Sequence, residues 1–131
     1  MDFKLELGLK KEVSLVVQEE HTANKFSEKA VKLFASPVMF GMMEDASLKC
    51  VAPYLPEGYS TVGIHLESTH DAPTPVGMKV TVEAELIEQE GKKLVFKTIA
   101  RDEMDVIGRG THTRYIVDFD KFNASASKKG K

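Results

Sequence analysis

Cysteine is nearly missing from this 131-residue chain: Cys50 is the only one. That excludes a disulfide framework and a cysteine-built zinc cluster. Neither charge is in excess, with 18 Lys and Arg against 20 Asp and Glu and a formal net charge of −2. The basic footprint of a nucleic-acid binder is therefore absent. No apolar run approaches the ~20 residues that a membrane span needs. The opening Met1–Lys11 alternates charge with Leu and Phe and does not resemble a signal peptide, so the expected compartment is the cytoplasm. No internal repeat is visible. The length suits one domain with a real core over residues 1–122, followed by a flexible polar tail, 123–131.

One stretch dominates what is present. Ser36–Leu55 (SPVMFGMMEDASLKCVAPYL) opens with a serine able to cap a helix and a proline at the first helical position. It stops at Pro53, which disfavours helical geometry before it. Between them Val38, Met39, Phe40, Met42, Met43, Ala46, Leu48, Val51 and Ala52 leave most of the circumference apolar, the pattern of a buried helix. Asp45 and Lys49, at helical spacing, form a solvated strip. Glu44 falls elsewhere, with Phe40 and Leu48 a turn away and Val51 and Gly41 beside it. A carboxylate on an apolar stripe is expected to be desolvated and to stay basic near neutral pH.

The rest of the chain reads mainly as strands. Val13–Gln18 is short and β-branched, a first strand, and EKAVKLF (Glu28–Phe34) predicts a short helical turn or lid. After a turn at Pro56–Tyr59, Tyr59–His70 alternates. Val62, Ile64 and Leu66 share one face, which parity extends to His70; Tyr59, Thr61, His65 and Glu67 share the other. Two prolines stiffen the loop Asp71–Gly77. Met78–Glu88 and Leu94–Arg101 predict a hairpin about Glu90–Lys92. Val106–Phe119 is the last strand, and Gly108 and Gly110 on one of its faces predict a close approach. A long apolar helix followed by alternating strands predicts an α+β fold, an antiparallel sheet of about five strands wrapped around one long central helix.

Several spaced motifs agree on a family. FASPVMFGMME (Phe34–Glu44), the APYL that ends the helix, THxAxTPxG (Thr69–Gly77), GxGTHxR (Gly108–Arg114) and DKFNA (Asp120–Ala124) together resemble the fluoroacetyl-CoA thioesterase family of hotdog-fold proteins. The resemblance implies hydrolysis of an acyl-CoA thioester to free acid and coenzyme A. It also implies a homodimer, alone or paired into a dimer of dimers, with no metal and no cofactor beyond the substrate's own coenzyme A. It places Ser36, Glu44 and His70 at the family's hydroxyl, helix glutamate and loop histidine, the catalytic positions. Gly63 and Arg114 match residues beside the acyl or coenzyme A moiety. The family's fluoroacetate-selective member has lid phenylalanines before the helix, and Phe26–Lys32 does not reproduce their spacing. A small or medium acyl group is expected, and selectivity for fluoroacetyl is not carried over from the family.

The chemistry of these residues stands beside that resemblance. Thioester hydrolysis needs a base or nucleophile, a group that stabilises the oxyanion and a proton for the leaving thiolate. Glu44 suits either of the first roles and His70 the proton relay. Ser36, at a helix start where free N–H groups favour negative charge, can orient the acyl group. Each has a plainer reading: a serine before proline is more often a cap, and a strand-end histidine more often structural. His21, His65 and His112 lack family support, although His112 beside Arg114 suits an anionic part of a ligand. Cys50 and the Met39, Met42, Met43 cluster read as core. Two other classes stay open: a hotdog hydratase or dehydratase, and a non-catalytic acyl-CoA-binding module, which has no need of a buried carboxylate.

Overall fold

The structure, a computed structural model, describes residues 2–130. Its elements are β1 (Lys10–Val16), α1 (Ser36–Val51), β2 (Tyr59–Ser68), β3 (Lys79–Glu90), β4 (Lys93–Arg101), β5 (Val106–Asp118) and α2 (Phe119–Ser127). The five strands form one sheet in the order β1-β3-β4-β5-β2, antiparallel throughout. Alternation decides which face α1 covers. Val80, Val82, Ala84 and Leu86 of β3 are buried, as are Leu94, Phe96 and Ala100 of β4 and Ile107 and Ile116 of β5. They meet Met39, Met42, Met43, Ala46, Cys50 and Val51 of α1 in a single core. The β3–β4 hairpin turns at Gly91, whose φ of 60° lies in the left-handed region that glycine enters without a Cβ clash.

Gly108 and Gly110 mark the predicted close approach. A Cβ on Gly108 would stand 2.6 Å from the Thr69 carbonyl oxygen and 2.7 Å from Met39 Cε; one on Gly110 would stand 2.1 Å from the Glu67 carbonyl oxygen. Helix and edge strand thus both press on the start of β5.

Four expectations are corrected. The main helix ends at Val51, and Ala52–Tyr54 continue as a 3-10 turn around Pro53. Glu28–Phe34 is not helical. The segment before α1 holds 3-10 turns at Glu19–His21 and Ala23–Lys25 and then doubles back, with Ala23 N–H donating to Leu33 O at 2.8 Å and Thr22 bridging Phe34. Burial of Phe34 in the core wins over local helix propensity. In β2 a bulge between Gly63 and His65 breaks the parity: Thr61 points inward and is buried, whereas Ile64 is 57% exposed. Finally, α2 forms where a frayed tail was expected. Asp118 caps it by accepting from Lys121 N–H at 3.1 Å, and its residues are exposed.

Candidate active site

The loop after β2 carries His70 and is tied to β5 on both sides of that residue. Thr69 N–H donates to Arg109 O at 3.0 Å and Asp71 N–H to Ile107 O at 2.6 Å. The first turn of α1 comes from the other direction, anchored by Phe34 N–H to Thr74 O and Ala35 N–H to His21 O, each 2.9 Å. Ser36 and His70, distant in sequence, meet here: Ser36 Oγ lies 2.6 Å from His70 Nδ1. His70 Nε2 is buried and has no partner among the described residues. Burial pulls the imidazole's pKa below its ordinary value, with Asp71 pulling weakly the other way. The pair opens into a cleft of about 280 Å³ whose walls include Val31, Leu33, Phe34, Ala72 and Pro73.

Ser36 is not the helix cap. Ala35 occupies the N-cap position, and no side chain caps the helix. The first turn offers fewer free donors than expected, because Val38 and Met39 N–H both point to Ala35 O at 3.1 Å and Pro37 has none. Released from capping, the Ser36 hydroxyl serves the histidine.

A second cluster sits under β2. Arg114 is buried, donating from Nε to Thr61 Oγ1 at 2.7 Å and from Nη2 to Thr61 O at 2.8 Å. Its Nη1 lies 3.0 Å from His112 Nε2, and His112 Nδ1 lies 2.8 Å from His65 O. Gly63 covers the pair: a Cβ there would stand 3.0 Å from His112 Cε1 and 3.3 Å from Arg114 Nη1. Burial lowers the pKa of both side chains; Glu44, close enough to act on both charges, opposes it.

Glu44 itself departs from expectation. Its side chain is exposed and takes part in no ion pair among the described residues, while Phe40 and Leu48 beside it are half-buried. The buried stripe of α1 runs through Met39, Met43, Ala46 and Cys50, which leaves Phe40, Glu44 and Leu48 on its flank. Asp45 and Lys49 pair on the outside at 2.9 Å, as expected. The structure thus joins Ser36 to His70, joins Gly63 to Arg114, and sets Glu44 near the second group, about 12 Å along α1 from Ser36. Sequence reasoning missed Thr61 and the His65 carbonyl, and it read His112 beside Arg114 only as a contact for an anionic part of a ligand; the HxR spacing in β5, which puts both side chains on one face, was the available signal.

Larger hollows lie elsewhere, about 580 Å³ beside Phe3 and Leu7 and about 510 Å³ beside Lys97 and Arg109. Neither holds a paired nucleophile and base. Among the described residues no cluster of His, Cys, Asp and Glu is arranged to hold a metal ion, and no helix is long and apolar enough to cross a membrane.

Comparison with known proteins identifies the family and the fold. Residues 17–120 match the family described as fluoroacetyl-CoA-specific thioesterase, FlK. A fluoroacetyl-CoA thioesterase of Streptantibioticus cattleyicolor is 43% identical over 98 residues, 75% of this chain and 70% of that protein. A solved structure of the fluoroacetyl-CoA thioesterase FlK superposes with a TM-score of 0.91 at 35% identity, covering 96% of this chain and 98% of that one. A thioesterase superfamily member from Thermus thermophilus, 27% identical, also reaches a TM-score of 0.91 over 98% of this chain and 96% of its own. The chain belongs to the fluoroacetyl-CoA-specific thioesterase family and has the hotdog fold.

Proposed function

We propose that this protein hydrolyses the thioester of a small or medium acyl-CoA to free acid and coenzyme A, and that Ser36, Glu44 and His70 are its catalytic residues. The observation that carries the reading is the 2.6 Å contact between Ser36 Oγ and His70 Nδ1 at the positive end of α1, with Nε2 buried and left for a reacting group. Glu44, about 12 Å along α1 from Ser36, comes to the same thioester in this reading either as the substrate extends along the helix or from a second copy of the chain. As base, Glu44 takes a proton from the water whose oxygen attacks the carbonyl carbon. As nucleophile, it attacks that carbon itself and is then released by water. On either route the C–S bond breaks and the thiolate takes a proton relayed by His70. Ser36 orients the acyl group, and Gly63 and Arg114 flank the substrate. No metal and no further cofactor enters these steps.

The working unit in this reading is a homodimer, alone or paired into a dimer of dimers, in the cytoplasm. Its support is the half-buried flank of Phe40 and Leu48 around Glu44, which a second copy would cover, and the unpaired edge of β2.

Release of free thiol from a panel of acetyl- to octanoyl-CoA tests the activity. Turnover of several members with formation of coenzyme A is expected. Binding without thiol release would make the protein an acyl-CoA-binding module, and hydration or dehydration without release would make it a lyase. In a single turnover in ¹⁸O-water, solvent label in the Glu44 carboxylate establishes the nucleophilic route, because general-base hydrolysis labels only the product acid. Interception of an acyl-Glu44 anhydride by hydroxylamine detects the nucleophilic route where water attacks the acyl carbon instead.

A further inference from the structure

We propose that His112 is a positioning residue, a neutral ring that ties the backbone at the β2 bulge to the guanidinium of Arg114 and so holds both against the substrate. This rests on the thioesterase reading, which places Gly63 and Arg114 beside the acyl-CoA.

The argument begins with what each partner can do. The His65 carbonyl can only accept, so His112 Nδ1, 2.8 Å away, carries the proton. The Arg114 guanidinium can only donate, so His112 Nε2, 3.0 Å from Nη1, presents its lone pair. Both demands are met by one species, the neutral Nδ1–H tautomer. With Thr61 accepting from Nε and Nη2 at 2.7 and 2.8 Å, three nitrogens of Arg114 are held, each by a neutral group.

A side chain kept only for stability would look different. Buried cations are ordinarily paired with anions, because an unpaired buried charge costs stability. Arg114 is 5% exposed and in no ion pair among the described residues, although Glu44 faces it from α1. Nη1 and Nη2 each keep one N–H beyond these bonds. Position 63 fits the same design, since any Cβ there would press on the His112 ring, so the bare backbone of an exposed residue rests against the pair. The carbonyl that His112 holds belongs to His65, just past the bulge at which β2 changes register. One ring therefore fixes both the strand backbone and the cation.

Protonation would undo the clamp. It turns Nε2 into a donor facing a donor and puts a second charge 3.0 Å from the guanidinium. The charged and titratable groups facing His112 are Arg114 on its own strand, His65 from β2 and Glu44 from α1.

The test uses an acyl-CoA that the wild-type protein turns over, and a double-mutant cycle. His112→Ala is expected to lower kcat/KM by about 10-fold, the loss of one orienting hydrogen bond. Arg114→Ala should cost at least as much, and the double variant no more than Arg114→Ala alone, because His112 acts through Arg114. His112→Gln, whose amide offers an acceptor and a donor, should recover part of the loss. Wild-type kcat/KM in folded His112→Ala, or additive losses in the double variant, would overturn the proposal. Nitrogen-15 shifts of the wild-type His112 ring give a second readout, independent of variant folding and of turnover. A neutral ring protonated on Nδ1 at pH 7 is expected; protonation on Nε2 or on both nitrogens would overturn the clamp. If no acyl-CoA is turned over, the thioesterase reading fails, and the ring shifts still decide the tautomer.

Discussion

The hydroxyl of Ser36 could serve the first turn of α1 or the ring of His70, and it bonds to the ring. Ser36→Ala should therefore slow kcat by about 10-fold while removing no cap, so Tm should move little; both can be measured on one preparation. Glu44→Gln keeps the shape and removes the reactive charge, and kcat should fall by at least ~10²-fold. Because the carboxylate is exposed and in no ion pair among the described residues, this change should leave thermal stability intact. Wild-type turnover by Glu44→Gln would make the glutamate a bystander. For His70, burial depresses the pKa, so the folded chain favours the neutral ring. Its contribution to stability is whole above the ordinary value of about 6.5 and is lost as pH falls through the lower folded value. The same shift keeps the relay neutral in mildly acid solution. The acid limb of kcat/KM should have its midpoint below about 6.5, and a midpoint above that value would exclude His70 as the group that titrates there.

Among the elements, the contact of β2 with β5 is the least tolerant. A methyl on Gly110 would fall 2.1 Å from Glu67 O and 2.8 Å from Ser68 Cβ. Backbone and strand-bound atoms cannot swing aside as a side-chain tip can. Gly110→Ala should cost ~3 kcal/mol and lower Tm by roughly 10 °C or more in a thermal melt. A melt within ~2 °C of wild type would show that β2 can yield there. These strands also show what the sequence makes legible. The alternation of Val80, Val82, Ala84 and Leu86 matches the buried face because nothing interrupts the pairing that covers it. Strand β2 alternates as cleanly in sequence, yet a bulge shifts its register and turns Ile64 outward; the one local signal of it was Gly63, a glycine inside the alternating run. On α1 a helical wheel names the neighbours of Glu44 correctly, as Phe40 and Leu48, but cannot say which arc the sheet covers. The pairing of Ser36 with His70 was legible only through the family motifs. In the clamp of Thr61, His112 and Arg114 the HxR spacing sets two members on one face of β5, but the third belongs to β2, and only the register of the two strands brings it there.

At the scale of the whole molecule, the open question is what closes the sheet. It has two free edges, and they differ in kind. Strand β1 exposes Lys10, Lys11 and Glu12, charges that discourage another strand from pairing alongside. Strand β2 has no lysine, contains Gly63, leaves Ile64 57% exposed, and lies near the flank of α1 that carries Glu44. An edge without lysine and with an isoleucine in the open is suited to self-association. If two copies pair along β2, each covers the other's Phe40–Glu44–Leu48 flank, and the glutamate becomes desolvated in the way an effective base requires. Assembly and activity should then fail together. Light scattering at micromolar concentration should give at least twice the chain mass. Ile64→Lys, which places a charge on the β2 edge without touching Ser36, His70 or Arg114, should shift the protein toward monomer. Its kcat/KM should fall by ~10-fold or more, because Glu44 is returned to water. A folded monomeric Ile64→Lys protein that keeps full activity would show that one chain completes its own site, and that the exposed edge of β2 has no part in the chemistry.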